Sequence, residues 1–390
     1  MVGGPGRACR PVGGGLTKGK AVTAANKDGD GSQLLCGGRL TVNLDALAAN
    51  FAALAGLAAP SRCAGVVKAN AYGLGLEPVA RRLAGEGCDI FFVATLGEGL
   101  QLRATLANAE IYVLEGPWPA EVAIFHEARL SPVINTLEQY EHWARRGAAQ
   151  PFALQLDTGM SRLGLRPADA RELGRRLPAD LKPEYLLTHL ACADEPGHAA
   201  TPAQLALFDD LCQAFPGVPT SLGNTAGIAA GQSTRGSLVR AGIGLYGGNP
   251  LPDGAARMLP VATLEGRVLQ LREVPDGTYV GYGARFRARG PARLATLGVG
   301  YADGYPRSLG NRGYGVLHGH RLPVVGRVSM DSLVIDITRL PADALKCGDL
   351  VQLLGPDVNV DELAGLAGTI SYELLTGLGP RLERRYAGAV

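Results

Sequence analysis

Residues 63–75 read CAGVVKANAYGLG: a short apolar run, one lysine, then a turn rich in small residues with a tyrosine in it. The run fits a strand buried on both faces, as in a parallel sheet. Lys68 stands at its end. A buried ammonium is costly to desolvate, and a lysine in a dry pocket shifts its pKa readily. On this stretch alone two readings stay open. Lys68 either marks a strand end and points into water, or is an amine kept for covalent chemistry such as a Schiff base.

Runs of the same kind recur on both sides of it. IFFVA (90–94), IYVL (111–114), PVI (132–134), FALQL (152–156), YLLT (185–188), PTSL (219–222) and SLVRA (237–241) bring the count to eight. Helical stretches lie between them. In NLDALAANFAALAGL, Leu44, Leu47, Phe51 and Leu54 share one stripe behind an Asn43 cap. In TPAQLALFDDLCQAF, Leu205, Phe208, Leu211 and Cys212 share another. Eight apolar strands alternating with helices predict a closed (β/α)₈ barrel of the α/β class. After residue 255 the texture changes to close-spaced strands punctuated by Gly, Pro and Asp: VATLEGRVLQL, ARLATLGVG, GVLHG, LPVVGRVS, LVIDI and DLVQLLG. That pattern predicts a mainly β C-terminal domain. One helix is expected after an Asn359 cap and another near Ile370, with RLERRYAG as a solvated terminal strand. The predicted division is a disordered extension over 1–38, a barrel over 39–255 and the β domain over 256–390.

Composition narrows the class. With 38 Lys+Arg against 36 Asp+Glu the net charge is +2, which gives no basis for binding nucleic acid or an anionic membrane surface. No apolar stretch approaches the roughly 18 residues of a membrane span. The first 38 residues are Gly-rich and lack the apolar region of a secretory signal. The seven cysteines (Cys9, Cys36, Cys63, Cys88, Cys192, Cys212 and Cys347) are odd in number, scattered and free of any C-x-x-C pair. That argues against a disulfide framework and against a zinc site, so a cytoplasmic protein with no metal is expected. His318 and His320 in HGH have a metal-like spacing but fall in a predicted hairpin, and His126 and His142 read as surface residues of helices.

In a barrel, side chains just past the C-terminal strand ends build the active site. Lys68 follows the first strand, Asp157 and Arg162 the fifth, His189 the sixth, Asn224 and Thr225 the seventh, and Arg240 with Gly242 ends the eighth. The last two ends, GNTAG and RAGIGLYG, are glycine-rich, and this is the corner where barrels hold phosphate. A phosphate corner facing a strand-end lysine points to pyridoxal 5′-phosphate.

Nine stretches in order, VVKANAYGLG, LDTGMSRLG, THLACADE, NTAGI, VRAGIGLYG, VGYGARF, VGYADGYPR, GRVSMD and ISYELLT, give the chain a resemblance to the alanine racemase family from about residue 40 to the C-terminus. This family has the barrel-plus-β-domain architecture shared with the ornithine decarboxylase group. The resemblance implies a two-base interconversion of L- and D-alanine on a pyridoxal-phosphate aldimine, supplying D-alanine for peptidoglycan. Lys68 would hold the cofactor and serve the D-alanine face, and Tyr282 would serve the L-alanine face. A free tyrosine has a pKa near ~10, so it needs a cation or donor beside it; Arg240, on the pyridine nitrogen, and His189 would form that relay. Tyr72, Thr225, the N–H groups of Gly242 and Ile243, and Tyr372 would hold the phosphate. Arg162 and the Met330 N–H would hold the substrate carboxylate, with Tyr301 near the pocket wall. In this family Tyr282, Tyr301 and Met330 come from the partner subunit, which implies a homodimer with shared sites.

Arg240 distinguishes this reading from a decarboxylase of the same architecture, which would place a carboxylate at the pyridine nitrogen. The β domain with Tyr282 argues against a non-catalytic pyridoxal-phosphate carrier, which resembles the barrel alone. The sequence departs from many relatives at Gln155, where they carry a lysine that becomes carbamylated and fixes the arginine matching Arg162. Glutamine is neutral, so a chloride between Gln155 and Arg162 is expected in its place.

Overall fold

The protein is described by a computed structural model over residues 36–145, 150–178, 181–250 and 257–389. Most of the expected extension, with Cys9, lies outside the described residues. Gly38 already opens the first strand, β1 (Gly38–Asn43).

The barrel follows. Strands β2 (Arg62–Val66), β3 (Ile90–Val93), β4 (Glu110–Val113), β5 (Ser131–Ile134), β6 (Ala153–Gln155), β7 (Tyr185–Leu187) and β8 (Thr220–Ser221) pair parallel in sequence order. The last, β9 (Leu238–Ala241), returns beside β2. Closure between β8 and β9 runs through Ser237 N–H to Thr220 O and Arg240 N–H to Gly223 O, both 2.7 Å. All eight predicted strands are present, within two residues at either end. All four residues of β3, β5 and β9 are buried, as strands covered on both faces require. The helix Leu44–Ala58 begins where Asn43 Oδ1 accepts from Ala46 N at 2.9 Å.

The second sheet is built from β10 (Ala262–Val274), β13 (Ala292–Leu297), β14 (Tyr314–Leu317), β15 (His320–Pro323), β16 (Leu333–Asp336), β17 (Leu350–Leu354) and β18 (Glu383–Ala387), while β11 (Tyr279–Val280) and β12 (Phe286–Arg287) form a separate hairpin. Two sequence expectations change here. The boundary at residue 39 placed β1 in the barrel, yet β1 pairs antiparallel with β10 and parallel with β18. Its alternation explains this: Leu40 and Val42 are fully buried, Arg39 and Thr41 only partly, the pattern of a strand covered on one face. The stretch LPVVGRVS contributes its first residues to β15 and then leaves the ladder, Val325 N–H reaching Val334 O at 2.8 Å.

The main apolar core runs through both regions, from Leu40 to Leu382, with two smaller clusters, one around Val280 and Leu294 and one around Leu190 and Ala226. The helix Val360–Ala367 starts at Asn359, whose Oδ1 accepts from Asp361 N and Glu362 N. His318 sits in the β14–β15 turn, and no cluster of metal-ligating side chains occurs among the described residues. His126 is half-buried rather than a free surface residue: its ring stacks on Trp143 with centroids 4.7 Å apart. No helix among the described residues is long and apolar enough to cross a membrane.

Candidate active site

A cavity of about 390 Å³ opens at the C-terminal end of the barrel. Lys68, Tyr72, Arg162, His189, Asn224, Thr225, Arg240, Gly242, Ile243 and Tyr372, gathered from distant segments, all line it. The Lys68 ammonium is partly buried and its pKa lies below the ordinary lysine value, first through burial and then through Arg162 and Arg240, with Glu98 acting the other way. Both charge repulsion and desolvation therefore favour the neutral, nucleophilic amine.

The backbone after Lys68 is unusual. Ala69, Asn70, Ala71 and Tyr72 all have φ between 52° and 55°, one turn of left-handed helix with no glycine in it. Such a conformation costs roughly 1–2 kcal/mol per residue and survives only where the surroundings hold it. Here Gly73 N–H closes on Ala69 O at 2.8 Å, Leu76 N–H bonds Asn70 Oδ1 at 2.8 Å, and Ala69 N–H bonds Glu98 Oε1 at 2.7 Å. The turn buries Tyr72 and stacks it on Tyr246, 4.6 Å between centroids. At the opposite side of that corner Thr225 Oγ1 accepts from Gly242 N at 3.1 Å and Gly244 N at 3.3 Å. A Cβ on residue 242 would stand 2.8 Å from Tyr72 Oη, so only glycine keeps this corner open.

Arg240 is fully enclosed. Its guanidinium donates to Ser221 O (2.8 Å), Ser221 Oγ (2.6 Å), Thr188 O (2.6 Å) and Leu222 O (3.2 Å), all neutral oxygens. Burial draws its pKa down to about 10, so it stays a cation at neutral pH. His189 Nδ1 lies 3.5 Å from Arg240 Nη2. A guanidinium has only donors, so Nδ1 must accept and the ring proton sits on Nε2. Burial, followed by Arg240, Arg162 and Lys68, pushes the His189 pKa down to about 3, which keeps the ring neutral.

Asp157, expected among the mouth residues, instead anchors the loop that carries Arg162. Its Oδ1 accepts from Gly159, Met160 and Ser161 N–H groups at 3.0–3.1 Å. Arg162 itself is exposed rather than the buried guanidinium expected, and among the described residues its side chain has no hydrogen-bond or ion-pair partner. Gln155 lines the same cavity, as expected, and so do Asn135 and the carboxylate of Glu115, neither of which was singled out in the sequence.

Tyr282, Tyr301 and Met330 do not line this chain's cavity. They are 71%, 42% and 53% exposed. They nonetheless share one edge of the β region: Tyr301 N–H bonds Ser329 O and Ala302 N–H bonds Met330 O, both at 3.0 Å, while Gly281 packs against Gly326 and Arg327. Arg381 clamps the same edge, forking onto Asp303 at 2.9 Å and reaching Asp331 at 2.7 Å.

The family model for the alanine racemase N-terminal domain matches residues 42–250, and that for the C-terminal domain matches 261–386. The chain belongs to the alanine racemase family. An alanine racemase from Methylobacterium sp. (strain 4-46) is 47% identical over 90% of this chain and 98% of its own length. A catabolic alanine racemase from Agrobacterium fabrum is 46% identical over 90% of this chain and 92% of its own. The crystal structure of alanine racemase from Bartonella henselae with covalently bound pyridoxal phosphate superposes with a TM-score of 0.86 at 37% identity, covering 90% of this chain and all of that one. Family membership makes the protein a racemase, an isomerase of the pyridoxal-phosphate class. Sequence reasoning missed the supports of this racemase site, chiefly Ser221 beneath Arg240 and Glu98 beside Lys68. A serine before a turn and an acid in a first helical turn carry no signal of what they touch 19 and 29 residues away.

Proposed function

We propose that the protein interconverts L- and D-alanine with two bases on opposite faces of the substrate, Lys68 and the partner subunit's Tyr282, within a homodimer. The observation that carries the reading is the single cavity joining Lys68, Arg240, His189 and the corner of Tyr72, Thr225 and Gly242. These residues fit pyridoxal phosphate: an activated amine at one side, an open glycine corner for the phosphate at the other, and a donor-only cation between them. When bound, that group supplies an electron sink that acidifies the substrate Cα–H. Lys68 would be its covalent anchor and the base for the D-alanine face. Thr225, Tyr72, Tyr372 and the N–H groups of Gly242 and Ile243 would hold the phosphate.

Arg240 would face the pyridine nitrogen as a donor that gives up no proton, since its guanidinium remains charged. That limits electron withdrawal to what proton transfer needs. His189, neutral with its proton on Nε2, can donate towards the partner's Tyr282 and stabilise a phenolate there. Arg162 and the partner's Met330 N–H grip the substrate carboxylate, with the partner's Tyr301 at the wall. The exposure of Tyr282, Tyr301 and Met330 on one clamped edge, away from their own cavity, supports a site shared across a dimer.

The test is a coupled assay of the purified protein on L- and D-alanine, serine, lysine and arginine. Turnover of alanine in both directions and far slower turnover of the others is expected; no turnover of alanine would overturn the reading. We assign the D-alanine to peptidoglycan. Deletion should then create a D-alanine requirement, and growth without one would favour the catabolic role named for the Agrobacterium relative.

We also place a chloride between Gln155 and Arg162, because Arg162 lacks an anionic partner and Gln155 cannot provide one. Activity should depend on chloride and not on added bicarbonate, and bromide-soaked crystals should show an anomalous peak between the two side chains. A fully active chloride-free enzyme without a halide peak would leave Glu115, the carboxylate that lines the cavity among the described residues, to balance Arg162.

A further inference from the structure

The left-handed turn after Lys68 needs something outside itself to hold it. Among the described residues, the side chain from elsewhere that bonds the backbone of Ala69–Tyr72 is Glu98. Its two oxygens work in different directions. Oε1 accepts from Ala69 N at 2.7 Å, and Oε2 accepts from Ala94 N at 2.8 Å and Thr95 N at 3.4 Å. Glu98 is itself fixed, since Thr95 Oγ1 accepts from its N–H at 3.2 Å in the capping box of the helix Leu96–Thr105. One carboxylate thus ties the strained turn to the end of β3 and to a helix N-terminus, which favours negative charge there.

We propose that Glu98 is a positioning residue for Lys68, its carboxylate holding the left-handed turn and with it the place of the amine at the barrel mouth. The proposal rests on the reading of Lys68 as the cofactor-bearing amine. Glutamate is the residue this geometry demands. A glutamine has one acceptor oxygen and cannot serve Ala69 and Ala94 together, and an aspartate is one methylene short of spanning them. The role is also electrostatic. The charged groups facing Lys68 are Arg162 and Arg240, opposed by Glu98, with Glu115 and Glu373 on the walls of the adjoining cavities. The neutral titratable groups are His189, Tyr72 and Tyr372. Burial and the two arginines lower the Lys68 pKa, and Glu98 limits that fall.

The sign follows. Without the Glu98 charge the Lys68 amine loses its proton at a lower pH still. In apoprotein freed of cofactor with hydroxylamine, acetic anhydride should label Lys68 along a pH profile shifted to lower pH in Glu98→Gln, so that labelling near pH 7 rises several-fold. In the same variant loaded with pyridoxal phosphate, the loosened turn should speed cofactor release about tenfold, while the thermal melt stays cooperative. A helix cap alone would lower the melting temperature and move neither readout. Should the glutamine variant not fold, Glu98→Asp carries the test, with faster release expected and a smaller shift of the labelling profile. An unshifted profile and an unchanged release rate in a folded variant would overturn the proposal. Failure of the underlying reading looks different: borohydride would then fix the cofactor on a lysine other than Lys68 in the unmodified enzyme.

Discussion

Lys68→Ala protein should be colourless, while the unmodified enzyme is yellow and gives a borohydride-stable label on the peptide containing Lys68. The chain has six lysines (Lys18, Lys20, Lys27, Lys68, Lys182 and Lys346), so the label has few places to go, and of the described ones, Lys68, Lys182 and Lys346, it is Lys68 that lines the cavity. On the proposed reading its removal takes away the covalent anchor and one of the two bases together, so turnover should fall by more than about 10⁴-fold, at or beyond the upper end of what a lost general base costs. The fold should survive. Lys68 is only partly buried, and its removal relieves repulsion from Arg162 and Arg240, so the melting temperature of the apoprotein should stay level or rise. Label on any other lysine, or a yellow and active variant, would overturn the assignment at its first step. A colourless variant that also melts early would instead mean that Lys68 holds the turn rather than the cofactor.

The barrel was legible because its strands are buried on both faces, and continuous apolar runs such as IFFV and LVRA have few other uses. The polar mouth was legible because strand ends deliver it at fixed places in the chain. What escaped has one physical cause: it depends on partners far away in sequence. β1 alternates as a half-covered strand should, but nothing local says that it pairs with residues 383–387 at the other end of the chain. The left-handed turn is spelled Ala-Asn-Ala-Tyr, residues with no preference for positive φ apart from the asparagine, because the conformation is imposed by Glu98, Gly73 and the packing of Tyr72 rather than chosen locally. Asp157 shows the reverse error. Its position past a strand end suggested chemistry, and the structure instead uses its Oδ1 to accept the backbone N–H groups of the Arg162 loop.

Tyr282→Phe should leave cofactor binding intact and remove the base for the L-alanine face. Because the overall equilibrium links the two directions, the clean readout is Cα exchange in D₂O, which should drop far more from L-alanine than from D-alanine; equal losses would remove Tyr282 from this role. The same variant also tests where the tyrosine acts. Tyr282 is 71% exposed and absent from the lining of its own chain's cavity. If it serves the neighbouring subunit, mixing two inactive proteins restores activity. Consider a hybrid of Lys68→Ala and Tyr282→Phe subunits. One of its sites combines both lesions, and the other combines the intact Lys68 of one subunit with the intact Tyr282 of the other. Random reassociation makes half the dimers hybrids, so about a quarter of all sites should recover. If Tyr282 acted in its own chain, every site in the mixture would keep one lesion and nothing would return. The clamp of Arg381 on Asp303 and Asp331 fixes the edge that presents Tyr301 and Met330. Adding Arg381→Ala to the Lys68→Ala subunit should therefore lower the recovered activity, since that subunit now offers its neighbour a loosened edge. Adding it to the Tyr282→Phe subunit should not, because that edge faces the site already dead.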